Sequence, residues 1–167
     1  MTPTVDLDSF SIAVRLGAAM VAGAVIGIDR ELKNKPAGLR THSMVSIGAA
    51  IVVLATIASS QGAPDAVSRA IQGIITGIGF LGAGVIMQYE HERRIEGLTT
   101  AASIWVAAGL GIACGAGLVE LVGLAMLAAI LVLVGGNWIE GALNRRSQGK
   151  PGTPPDGDRR HRDRRSK

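Results

Sequence analysis

Aromatic side chains make up only 3% of this 167-residue chain, and it contains one cysteine, Cys114. A soluble core of this length ordinarily draws on more Phe and Tyr, so the apolar content, 48% of residues, is aliphatic and small. One cysteine excludes a disulfide framework and a Cys-based metal site, and leaves Cys114 as a small packing residue. Histidine is scarce as well. His42 and His91 fall at the edges of apolar runs and His161 in the tail, without the spacing of a metal-ligand set, so no metal ligand is assigned. No nucleophile stands beside a base, so no catalytic residue and no cofactor are expected, and an enzyme is the least supported class. The first ten residues carry Asp6 and Asp8 but no Lys or Arg, and no small-residue cleavage pattern follows, which argues against a cleavable leader.

What the chain has in quantity is apolar runs close to the length that crosses a hydrocarbon layer. The fold expected is all-α, a polytopic membrane helix bundle of about five transmembrane helices over residues 11–28, 42–60, 70–88, 98–117 and 118–138. The last two are separated at Gly115 and Gly117, because together they are too long for one crossing. Residues 1–10 form a short external segment, 11–143 the membrane domain, and 144–167 a disordered basic cytoplasmic tail, rich in Gly, Pro, Asp and Arg and without periodic apolar residues. Each basic residue of the tail near an anionic headgroup surface contributes about 1 kcal/mol.

Orientation follows from charge placement. Of the 17 Lys and Arg residues, Arg69 alone falls in the even-numbered connections and Arg15 lies within the first span; all others sit in the odd-numbered connections or the tail. Basic residues stay cytoplasmic, so the N-terminus is expected outside and the C-terminus inside, which an odd number of spans satisfies. The net charge of +4 and pI near 9.8 are therefore topological, and no nucleic-acid partner is expected.

Two groups of residues stand out as candidate functional features. Glycines spaced by four, at 23 and 27, 73 and 77, and 111 and 115, lay flat stripes on helix faces and favour close helix packing. Within the third span Gly77, Gly79, Gly82 and Gly84 are dense enough that a bent or locally unwound segment is expected, whose carbonyls would be free to meet an ion. At the inner boundary Asp29, Arg30, Glu31, Arg40 and Arg94 form a candidate charge network. Asp29 and Glu31 would lie against the positive ends of spans two and four, with Thr41, Thr99 and Thr100 as candidate caps. Arg15 and Glu120, near the outer boundary, read as snorkelling side chains or a mutual pair.

Four segments in order resemble the MgtC/SapB family of bacterial inner-membrane proteins. They are Gly23-Ala-Val-Ile-Gly27-Ile-Asp29-Arg30-Glu31, Lys35-Pro-Ala-Gly-Leu-Arg40-Thr-His42, Gly77-Ile-Gly-Phe-Leu-Gly-Ala-Gly84-Val-Ile and Gly97-Leu-Thr-Thr-Ala-Ala-Ser-Ile-Trp105. The likeness is close over residues 15–117, loose over the fifth span, and leaves the tail outside. It implies a multi-pass protein of the cell inner membrane linked to magnesium homeostasis and adaptation to low magnesium. The role implied is regulatory, through a membrane partner such as the ATP synthase. Two departures are visible: Asp29 stands where the family often has Glu, and a short basic tail follows where virulence-associated members carry a soluble domain. Two alternatives compete, a magnesium or other ion transporter or channel, and a structural module that forms homo-oligomers in the lipid bilayer. The shortage of acidic residues in the bundle weighs against conduction, since magnesium needs oxygen ligands in near-octahedral geometry.

Overall fold

In a computed structural model, residues 7–89 and 94–147 are described, with side chains over 7–86 and 96–135. Five helices follow one another: α1 Ser9–Leu32, α2 Leu39–Ser60, α3 Pro64–Gly84, α4 Leu98–Ala116 and α5 Val119–Ser147. Between α3 and α4 a small antiparallel hairpin pairs β1 Met87–Tyr89 with β2 Arg94–Glu96, in the register Met87 to Glu96. The described residues fall into two units that divide between Leu133 and Val134, so α5 begins in the first and ends in the second.

Helix limits follow local chemistry. Asp8 caps α1, its carboxylate accepting from Ser11 N at 3.0 Å. Pro64 opens α3 at a first-turn position, where its missing N–H costs nothing. Gln61 and Gly62, both with positive φ, turn the chain out of α2. Gly97, with φ 92°, leads from the hairpin into α4, and a Cβ there would collide with the Val85 carbonyl.

The first unit has a heart of three mutually packed helices, α1, α2 and α4, with α3 on one flank against α2 and α4. Ala19, Ala22, Ile26, Ala50, Leu110 and Cys114 form its apolar core, and Val122, Ala125, Met126 and Ala129 of α5 pack against it. Small residues let backbones touch, in place of the hydrophobic drive that lipid removes. A Cβ on Gly23 would lie 2.5 Å from the His42 carbonyl, and one on Gly111 would run into that of Ser46. Gly27 and Gly115 are equally tight against Leu39 and Ala50.

Large apolar side chains stay exposed around this heart, including Phe10, Phe80, Leu127 and Val132. In water such a surface would be untenable, whereas in lipid it is the solvated face. Helices α1 to α4 are long and apolar enough to cross a membrane, and Val119–Gly135 extends the apolar character into α5. The chain is a helical membrane bundle.

Four details differ from expectation. The third helix spans Pro64–Gly84 rather than residues 70–88, because Pro64 and Asp65 start it early and Met87 and Gln88 belong to the hairpin. It is also a continuous α-helix with no unwound segment between Pro64 and Gly84. Each Gly costs about 1 kcal/mol of helix propensity, but a backbone amide without a partner in lipid costs several, so the helix is retained. Gly73 and Gly77 face open space instead of another helix, and Gly79 and Gly84 do the same. Of the expected tail at 144–167, residues 144–147 belong instead to helix α5, and residues 148–167 lie outside the described residues.

Candidate functional site

Where α1, α2 and α4 meet, near the end of the bundle that holds the α1–α2 connection, the core turns polar. Arg30, His42, Ser43, Ser46, Thr100 and Ser103 are all buried there. Each helix places them by its own period. His42 and Ser46 are one turn apart on α2, Thr100 and Ser103 share a face of α4, and Arg30 sits one turn beyond Ile26 and Gly27 on the buried stripe of α1.

Hydrogen bonds tie the three helices. Arg30 Nη2 donates to Thr100 Oγ1 at 2.7 Å. His42 Nδ1 lies 2.9 Å from the Gly38 carbonyl and Nε2 lies 2.9 Å from Ser103 Oγ, which is itself 2.8 Å from the Thr100 carbonyl. A carbonyl has no proton to give, so Nδ1–H is the donor to Gly38. Ser103 has one proton and two acceptors within reach. With a neutral imidazole it donates to Nε2; with Nε2 protonated it accepts there and donates to the Thr100 carbonyl. A proton gained or lost on α2 is thereby written into the hydroxyl orientation on α4.

Arg30 is 5% exposed, and its charge is buried with a neutral hydroxyl as partner. Its neighbour Asp29 pairs with Lys33 at 2.6 Å, and Lys33 also donates to the Leu133 carbonyl at 3.2 Å. Asp29 Oδ2, Arg30 Nε and Ser46 Oγ are buried polar atoms without a hydrogen-bond partner among the described residues. Among those residues no three of His, Cys, Asp and Glu gather as a metal site.

The charges named from sequence thus separate. Arg30 points into the bundle, and Asp29 is held by Lys33. Glu31 Oε2 accepts from Leu39 N at 2.8 Å, an anion at the N-terminus of α2. Arg40 is exposed and lines, with Glu31, Asn34, Lys35 and Thr41, a surface hollow of about 550 Å³. Arg94 belongs to β2, and its side chain lies outside the described residues. The caps are corrected: Gly38 and Gly97 occupy the N-cap positions of α2 and α4, with no side-chain cap, so Thr41, Thr99 and Thr100 fall inside the first turns. Thr100 serves Arg30 instead. Arg15 donates to the Gly115 carbonyl at 2.9 Å rather than to Glu120, covering the C-terminus of α4. Gly77, Gly79 and Gly84 take no part in the polar cluster, and a Cβ added at Gly82 would meet that of Ala101 at 3.7 Å. His42, Ser46 and Ser103 were not among the candidates. Their signal is the three- and four-residue spacing of polar residues in otherwise apolar helices, in phase with the glycine stripes.

The MgtC family model matches residues 16–142. The chain is 43% identical over 109 residues to Protein SrpB of Synechococcus elongatus, covering 59% of this chain and 60% of that one. It is 44% identical over 96 residues to Protein MgtC of Salmonella typhimurium, covering 58% and 39%. With Protein SapB of Bacillus subtilis it shares 42% over 103 residues, covering 58% and 44%. It therefore spans 39 to 60% of the length of these curated relatives. No solved structure matches.

Proposed function

This chain belongs to the MgtC family, and on that premise we propose that it is an inner-membrane regulatory protein that supports growth when magnesium is scarce, acting on another membrane protein rather than carrying the ion. The observation that carries this reading is the burial of Arg30 at the junction of α1, α2 and α4. A fixed positive charge buried where the three helices meet, near the α1–α2 end of the bundle, opposes a divalent cation there. At an effective dielectric of about 20, the repulsion at about 5 Å is roughly 7 kcal/mol. The regular helix of α3 also engages the carbonyls that would otherwise have offered ligands to an ion.

The test is growth of a deletion strain complemented with wild type, Arg30→Met or Arg30→Lys across a magnesium series, with cellular magnesium and ATP measured in parallel. The expected result is loss of growth at low magnesium with Arg30→Met, partial rescue by Arg30→Lys, and an ATP change while magnesium content holds. Magnesium content falling before ATP would overturn the reading in favour of transport. Proteoliposomes that pass magnesium down a gradient would do the same.

One observation favours a second reading, a module for self-association. Helix α3 has no buried residue and turns Gly73, Gly77, Gly79 and Gly84 to open space. Under this reading Gly77→Leu abolishes crosslinking between chains; an unchanged pattern removes it.

A further inference from the structure

Between α4 and α5 lies an apolar cleft of about 460 Å³, a volume typical of small-molecule sites. Ser103, Val106 and Gly109 of α4 line one wall, Ala128 and Val132 of α5 the other, and Ile26 of α1 the floor. On α4 its lining runs from Thr99 to Leu110, roughly 16 Å of helical rise. No residue of α4 beyond Leu110 and none of α5 before Ala125 lines it. The cleft is therefore about as deep as one leaflet of a bilayer whose hydrocarbon core is about 30 Å thick. A crossing helix of a partner needs the whole thickness and does not fit; an acyl chain needs half of it.

The end at Thr99 is marked by a cation. Leu133 lines the cleft there, and its carbonyl accepts from Lys33 Nζ, which also holds Asp29 Oδ1. An ammonium has three N–H donors, so these two contacts leave one, on a side chain that is 32% exposed. We propose that this cleft is a phospholipid site, in which one acyl chain fills the space between α4 and α5 and the phosphate sits on Lys33. The chain would complete the packing that α5 leaves open, and occupancy would set the spacing of α5 from α4, whose Ser103 belongs to the polar cluster. The site is independent of the magnesium-linked role proposed above.

The test uses the full chain in vesicles of phosphatidylethanolamine and phosphatidylglycerol with a trace of phosphatidylglycerol bearing a photoactivatable acyl chain. The expected adducts lie within residues 99–110 and 125–133. Gly109→Leu, whose added side chain enters open space in the cleft, should lower them roughly tenfold or more, as several methylene contacts are lost. Ala128→Leu fills the same space from the opposite wall and guards against a fold defect in the first variant. Lys33→Met should lower labelling, and Gly77→Leu on α3 should leave it unchanged. Labelling equal in wild type and both filled variants overturns the site. Equal labelling by a photoactivatable diacylglycerol, which lacks the phosphate, overturns the role of Lys33. Disulfide formation between chains carrying Ala128→Cys assigns the cleft to a second copy instead.

Discussion

Thr100 gives Arg30 its acceptor from α4, and the consequence can be measured one atom at a time. Thr100→Val keeps the shape and removes the oxygen, leaving a buried guanidinium short of a partner. It should destabilise the bundle by about 1.5 to 3 kcal/mol, whereas Thr100→Ser should be close to neutral. Unfolding in mixed micelles with increasing dodecyl sulfate reads the difference. If both variants unfold alike, the hydrogen bond contributes nothing and Arg30 is satisfied elsewhere. Sequence identified Arg30 and Thr100 as candidates but assigned them different tasks, a surface ion network and a helix cap. The true pairing joins residues 70 positions apart, a distance over which spacing along the chain carries no information. The pairing of His42 with Ser103, 61 positions apart, is hidden from the sequence for the same reason.

Helices were the most legible level. Each long apolar run became a helix, and two of the three glycine pairs, at 23 and 27 and at 111 and 115, lie against a neighbouring backbone. The pair at 73 and 77 has the same spacing and no neighbour, so spacing reports what a face permits and not what covers it. The contrast predicts opposite outcomes for one substitution. Gly111→Ala drives a methyl into the Ser46 carbonyl and should cost about 1 to 3 kcal/mol, as overpacking does. Gly73→Ala adds helix propensity in open space and should gain about 0.5 to 1 kcal/mol. The same micelle unfolding distinguishes them, and a loss at both positions would mean that the α3 face is covered in the native assembly. Starts and ends were less legible than interiors. Gly97 takes the cap position before Leu98, and its backbone crowds Val85, a contact that no local pattern announces.

At the scale of the whole molecule, orientation is the property that charge counting addresses and that helix packing leaves open. With the α1–α2 connection inside, Lys35→Cys should react with an impermeant maleimide only after permeabilisation, and Ser60→Cys, at the α2–α3 connection, in intact cells. Cys114 is buried and gives little background. The reverse pattern would invert the topology and place the Lys33 end of the α4–α5 cleft in the outer leaflet. The two arginines of α1 also bear on how the protein is made. Arg15 and Arg30 find their partners on α4, 100 and 70 residues further along the chain. A ribosome adding about 5 to 20 residues per second needs roughly 4 to 20 seconds to supply them. Throughout that interval the newly inserted first helix holds two orphan cations, to be borne by lipid headgroups, by the insertion machinery or by a chaperone. Quality control in the membrane thus has a defined window in which to recognise a chain whose fourth helix never arrives.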